Sequence, residues 1–197
     1  MSHYFIEDKN LDHDIKKKAI YINDMKLEFY TDRGVFSKEK IDYGTHVLLK
    51  HVKVETSLKS IIDMGCGYGP IGLYLAKTYP DKEIFMFDVN PRAVDLSLKN
   101  KDLNKITNAN IKVSNLFEAC DINADLIITN PPIRAGKQTI FSLYEQAYQH
   151  LNKGGSFYCV IQKKQGAPST YNKLVSLFSN CEIVVKDKGY WILLSRK

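Results

Sequence analysis

Apolar and polar positions follow one another along this chain in short blocks. Apolar runs at 60–64, 83–88, 110–113, 125–129 and 156–161 have the length of strands and end in polar or glycine-bearing turns. The segments 70–79, 91–103, 138–151 and 168–178 read as helices between them, and Asn152-Lys153-Gly154-Gly155 reads as a helix stop. The chain closes with the runs 182–186 and 190–194 around Asp187-Lys188-Gly189, an antiparallel hairpin at a sheet edge. Near the start, 18–22 and 25–30 flank Asn23-Asp24 as a second, smaller hairpin. Strands alternating with helices imply an α/β fold, with a mostly parallel sheet covered on both faces. No repeat, low-complexity tract or linker divides the chain, so residues 1–197 are expected to form one domain.

Composition narrows the class. At 197 residues, 44% hydrophobic and 25% charged, the chain can bury a substantial core and is neither disordered nor membrane-like. No apolar run approaches spanning length. The first ten residues lack the basic-then-apolar layout of a signal peptide, so a cytoplasmic location is expected. Cys66, Cys120, Cys159 and Cys181 show no C-x-x-C spacing; they suit reduced thiols rather than a zinc site or a disulfide framework, and no metal is expected.

The chemistry is concentrated at strand ends. After 125–129 comes Asn130-Pro131-Pro132-Ile133. Proline fixes φ and removes a donor, and the residue before each proline is pushed to extended geometry. The result is a rigid, carbonyl-rich loop, with an amide oxygen and a backbone carbonyl suited to hold a planar amino group. A strand ended by a Pro-Pro stop is the plain structural alternative. After 60–62 comes Asp63-Met64-Gly65-Cys66-Gly67-Tyr68-Gly69-Pro70, a glycine turn running into a helix that opens on Pro70. The spacing is G-x-G-x-G. It is not the dinucleotide fingerprint, because Pro70 stands at the third glycine, and no Lys-Ser/Thr follows as in a P-loop. A ligand with amino-acid-like and ribose-like parts suits it better than a pyrophosphate, with Asp63 placed for an ammonium. Asp88, one strand on and followed by Val89, is placed to accept from ribose hydroxyls. Asn115 is placed to read an adenine edge and Leu116 to pack on its face, although Asn is also a common turn former.

Together these motifs resemble the class I S-adenosylmethionine-dependent methyltransferases of the small-domain (MTS) type, in that family's order. The segments Thr31-Asp32-Arg33-Gly34-Val35-Phe36-Ser37 and Ile41-Asp42-Tyr43-Gly44-Thr45 resemble the stretch preceding the fold in the guanine N2 methyltransferases of small-subunit ribosomal RNA. The stretches running from Asn130 to Lys137 and from Gln162 to Gly166 resemble small members of that group. The resemblance implies a Rossmann-like doubly wound sheet of seven strands with the last antiparallel. Residues 1–55 then form an N-terminal extension with hairpin and helix, and 56–197 form the core. It also implies S-adenosylmethionine as cofactor, held by Asp63, Gly65, Cys66, Gly67, Gly69, Asp88, Val89, Asn115, Leu116 and Asn130. Catalysis is assigned to Asn130, Pro131, Pro132 and Ile133. Relatives carry Tyr or Phe where this chain has Ile133, which leaves an apolar face without a stacking ring; Phe36 is a candidate to supply one.

The formal net charge of +6 favours a polyanionic partner. Lys16-Lys17-Lys18 lies in the extension, whereas Arg134, Lys137, Lys163 and Lys164 follow two strands and are expected to flank one mouth. The implied activity is methyl transfer to an exocyclic amine of RNA, guanine N2 in small-subunit ribosomal RNA, acting on that RNA or on the subunit. Two other readings stand beside it: a protein glutamine N-methyltransferase, and a catalytically silent RNA-binding assembly module.

Overall fold

The computed structural model describes residues 14–32 and 41–197. Two strands, β1 (Lys16–Ile22) and β2 (Met25–Thr31), pair antiparallel around the Asn23-Asp24 turn. Both turn residues have positive φ. Helix α1 (Tyr43–His51) follows, capped by the Asp42 carboxylate, which accepts from the Thr45 N–H. Then come β3 (Ser60–Met64), α2 (Pro70–Thr78), β4 (Glu83–Asp88), α3 (Pro91–Leu103), β5 (Ala109–Val113), β6 (Ala124–Thr129), α4 (Lys137–His150), β7 (Leu151–Gln162), α5 (Ala167–Phe178), β8 (Glu182–Asp187) and β9 (Tyr190–Arg196). No helix among the described residues is long and apolar enough to cross a membrane.

The seven-stranded sheet has the order β5-β4-β3-β6-β7-β9-β8. Strands β3 to β7 pair in parallel, and the last strand, β9, runs antiparallel to both β7 and β8. The expected seven strands with an antiparallel last strand are therefore present, with β8 rather than β9 at the edge. Two details differ from the sequence reading. Residues 152–155 belong to β7 rather than to a helix stop, joined through a register irregularity opposite 124–126. Short 3-10 turns at Ile133–Ala135 and Lys163–Gln165 precede α4 and α5.

Strand alternation sorts the core into two layers. Ile61, Ile84, Met86, Leu126, Ile128, Tyr158, Val160 and Ile192 pack on one face with α1, α2, α3 and the N-terminal hairpin. Ile62, Phe87, Ile127, Phe157, Cys159, Ile161 and Leu193 pack on the other with α4 and α5. Side-chain amides tie the hairpin to α3. Asn100 accepts from the Tyr30 N–H (2.6 Å) and donates to the Tyr30 carbonyl (3.0 Å), while Asn104 does the same for Glu28 (3.0 and 2.7 Å). Two amides thus stand in for a neighbouring strand along the edge of β2. Beside them, Asp32 and Arg92 form a buried ion pair of 2.6 Å.

Candidate active site

Strand order reverses between β3 and β6: β4 and β5 lie to one side of β3, and β7 lies beyond β6. Ligand crevices in open α/β sheets form at such a point, outside the carboxyl ends of the strands. All four named motifs emerge there. The ends of β3 and β6 are joined: the Thr129 hydroxyl donates to the Met64 carbonyl at 2.7 Å. Among the described residues, a Cβ on Gly65 would meet only Pro132 Cδ, at 3.9 Å.

The glycine turn needs its glycines. Gly65, Gly67 and Gly69 have φ of +78°, +58° and +100°, which L side chains rarely adopt. A Cβ on Gly69 would also strike Leu73 and Ser97 at 2.7 Å. Two carboxylates brace the turn from below. Asp63 accepts the Gly72 N–H of α2 at 2.8 Å; Asp88 accepts the N–H groups of Gly67 (2.8 Å) and Asn90 (2.9 Å). Both acids are buried. Burial pushes Asp63 up to about 7, opposed by the Gly72 hydrogen bond and reinforced by the charge of Asp88. Burial also raises Asp88, against the pull of the Asn90, Gly67 and Val89 N–H groups. Among the described residues, the second oxygen of Asp63 is buried without a hydrogen-bond partner, as are the Tyr68 and Ser97 hydroxyls.

Val89, next to Asp88, is 39% exposed, a large apolar side chain left at the crevice edge. The loop after β5 is tied to this point, since the Ser114 N–H donates to the Asp88 carbonyl at 2.9 Å. The Ser114 hydroxyl donates to the Leu116 carbonyl and accepts from the Ala119 N–H, holding Leu116 at φ +51°. Asn115 is exposed, with its amide on Glu118 at 2.7 Å. The cofactor residues proposed from sequence, 63–69, 88–89, 115–116 and 130, therefore stand along one run of strand ends.

Asn130 is half-buried. Its Nδ2 donates to Asp42 Oδ2 (3.0 Å) and to Thr45 Oγ1 (2.9 Å), and no hydrogen bond occupies Oδ1 among the described residues. The sequence reading did not place Asp42 and Thr45 in the site. Eighty-eight residues separate Asp42 from Asn130, and only the fold brings α1 to the end of β6. Their sole sequence signal was membership of the motif segment at 41–45. Ile133 is half-buried against the α4–α5 core layer. Phe36 lies outside the described residues.

The cations of the sequence reading follow the ends of β6 and β7, which are adjacent strands. Arg134 is exposed in the turn after Asn130-Pro131-Pro132, and Lys137 opens α4 with its ammonium 5.1 Å from the Phe141 ring. Lys163 and Lys164 are exposed at the end of β7, the strand beside β6. The Lys163 N–H bonds the Gly189 carbonyl, which brings the β8–β9 turn to the same mouth. Lys188 of that turn lies 4.8 Å over the Tyr43 ring, and Tyr43 donates to Asp187 at 2.7 Å. The sequence reading missed Lys188, which lies in a turn far along the chain from the motif segments. Lys16 and Lys17, by contrast, sit on β1 and pair with Asp14 and Glu28.

Comparisons with known proteins bear on the family and the fold. Residues 26–194 match the model of the family described as "Methyltransferase small domain". The Bacillus subtilis (strain 168) protein YbxB, itself uncharacterized, is 42% identical over 99% of this chain and 98% of its own length. The ribosomal RNA small subunit methyltransferase C of Acinetobacter baylyi is 29% identical over 95% of this chain but 56% of its own length. The chain thus spans little more than half of that relative. Among solved structures, the Thermus thermophilus 16S rRNA N2 G1207 methyltransferase, in complex with AdoMet and guanosine, superposes with a TM-score of 0.82. That match covers 93% of this chain and 50% of the other at 24% identity, a likeness of fold, which is Rossmann-like.

Proposed function

Since the chain belongs to the methyltransferase small domain family, we propose that it transfers a methyl group from S-adenosylmethionine to an exocyclic amine of RNA, guanine N2 in small-subunit ribosomal RNA. The observation that carries this reading is Asn130, whose amide nitrogen is fully engaged while its oxygen is left as an acceptor beside the glycine turn.

The residues of the crevice suit the cofactor. The unpartnered Asp63 oxygen is a buried acceptor that an ammonium would satisfy, and leaving such an oxygen bare costs about 1–3 kcal/mol. The lack of a side chain at Gly65 admits close approach to the backbone. Asp88 would hold the ribose hydroxyls, Val89 and Leu116 the faces of the adenine, and Asn115 its edge. When bound, the cofactor supplies a methyl group activated by sulfonium charge, so the protein's task is alignment. Asn130 Oδ1 and the Pro131 carbonyl accept the two N–H bonds of the amine, which favours a more tetrahedral nitrogen with its lone pair available. Holding the reactants in line is worth about 7–11 kcal/mol. The proton leaves after transfer, so no strong base is required. Ile133 supplies an apolar face for the base. A base drawn from a helix must first be flipped out, at a cost of a few kcal/mol. Arg134, Lys137, Lys163, Lys164 and Lys188 offer phosphate contacts around the mouth. Ribosomal RNA or the ribosomal subunit is then the partner, and the cytoplasm the place of work.

Tritiated S-adenosylmethionine offered with small ribosomal subunits, naked ribosomal RNA and release factors tests this. Label recovered as N2-methylguanosine from small-subunit RNA is the expected result. Label confined to glutamine of a release factor would replace the RNA reading, and binding of RNA without transfer of label would point to a silent assembly module.

A further inference from the structure

Resting on the reading of Asn130 as the amine acceptor, we propose that Asp42 and Thr45 are positioning residues that set the orientation of its amide and strengthen its oxygen. An asparagine side chain has two nearly isosteric ends, and only one can accept from an amine. Here the Nδ2 end faces two oxygens: Asp42 Oδ2 at 3.0 Å and Thr45 Oγ1 at 2.9 Å. Turning the amide over would set its oxygen against a carboxylate oxygen at the same distance, replacing a charge-assisted hydrogen bond with repulsion. Oδ1 is thereby kept for the reactants.

The carboxylate also acts through the amide. A hydrogen bond to an ionised acceptor is stronger than one between neutral groups, and it polarises the next bond in a chain. Electron density drawn toward Oδ1 makes it a better acceptor for an N–H whose nitrogen is about to become nucleophilic. The Asp42–Asn130 arrangement is thus related in principle to a carboxylate that orients a catalytic imidazole, with an amide in place of the ring.

The surrounding structure holds Asp42 for this task. Its Oδ2 also accepts the Thr45 N–H at 3.1 Å, as the cap of α1. A Cβ on Gly44 would lie 2.9 Å from that oxygen and 2.8 Å from the Tyr190 ring, so glycine is what allows the carboxylate to sit there. Thr45 is 3% exposed, so its hydroxyl is a buried acceptor facing Nδ2. A plain helix cap needs none of this: the cap bond to the Thr45 N–H would exist without Asn130 in reach.

The test pairs conservative with disruptive variants and reads orientation as well as turnover. Asp42→Asn keeps the shape and removes the charge; Thr45→Val keeps the shape and removes the hydroxyl; Thr45→Ser keeps the hydroxyl. Turnover should fall about tenfold in Thr45→Val, the scale of one hydrogen bond, and recover in Thr45→Ser. It should fall toward about 100-fold in Asp42→Asn, as for a misplaced reactant, with cofactor affinity within threefold throughout. The side-chain amide of Asn130, assigned by NMR from its loss in Asn130→Ala, should show an exchange-protected proton pair in wild type. That protection should be lost in Asp42→Ala and Thr45→Val. Normal turnover in Asp42→Asn and Thr45→Val, with Asn130→Ala inactive, would overturn the inference while leaving the proposed function in place. If wild type labels no RNA, the function fails instead. The amide signals then decide the inference alone: protection lost in the variants upholds it, and protection unchanged overturns it.

Discussion

At the scale of single residues, the site is built from buried polar groups whose demands are only partly met. Asp63 is the sharpest case, pushed up to about 7 from an ordinary 3.8. The fold favours its protonated form, so this group's contribution to stability is fully present below about pH 4 and is lost as pH rises through 7. Asp63→Asn, which resembles the protonated acid, should be insensitive to that range. The stability of the variant minus that of wild type in denaturant titrations should rise from pH 5 to pH 8, and a constant difference would contradict the shift. Seating an ammonium against this carboxylate ionises it, so cofactor binding near pH 6.5 should release protons. Calorimetry in two buffers of different ionisation heat reads this directly, and identical heats would contradict it. Asn130→Ala should leave cofactor affinity near wild type and lower turnover by about 10²–10³, the usual scale for losing one hydrogen bond made to the reacting group. Asn130 and Asp63 were legible in the sequence because each sits at the end of an apolar run beside residues of fixed backbone preference. The partners of Asn130 were not, because no local pattern announces which helix will reach a strand end eighty-eight residues away.

At the scale of elements, the N-terminal hairpin is attached by side-chain amides as well as by the buried apolar residues Ile20, Ile22, Leu27 and Phe29. Asn100 is fully buried and bonds the N–H and carbonyl of Tyr30 and the carbonyl of Tyr68. Asn100→Ala leaves the buried Tyr68 carbonyl and the part-buried N–H and carbonyl of Tyr30 without this partner, at about 1–3 kcal/mol for a fully buried group and less where water reaches. Loss of several kcal/mol in chemical denaturation is expected, with β1 and β2 becoming the least protected amides in hydrogen exchange; uniform protection would show that apolar packing alone holds the hairpin. The strands and helices were readable because alternation and helix-start residues such as Pro70, Asn90 and Pro91 agree with the fold. The segment 152–155 was misread because Gly154 and Gly155 resemble a helix stop, whereas Leu151 already begins β7 and the glycines sit at a register irregularity. The two 3-10 turns fall where a proline pair and a lysine pair leave no periodic signal.

At the scale of the whole molecule, the basic excess becomes informative only once the fold gathers it. Arg134 and Lys137 follow β6, and Lys163 and Lys164 follow the adjacent strand β7. Their joint replacement by alanine should weaken RNA binding and flatten its salt dependence by about 0.7–0.9 log units per lost contact, without changing cofactor affinity. An unaltered salt slope would place the RNA path elsewhere. The arrangement of the sheet has a further, colloidal consequence. An open sheet has two edges, each presenting unpaired backbone groups to other chains, and such edges seed association unless they are blunted. Here β8 breaks its register between Ile183 and Val185 and carries exposed Glu182 and Lys186, while β5 carries exposed Lys112. Charge stands at both ends of the ladder, and irregularity at the β8 end. Lys186→Val should therefore scatter more light in concentrated solution than wild type while unfolding at a similar denaturant concentration. On the proposed function, a molecule that handles a sticky polyanion keeps its own edges from handling one another.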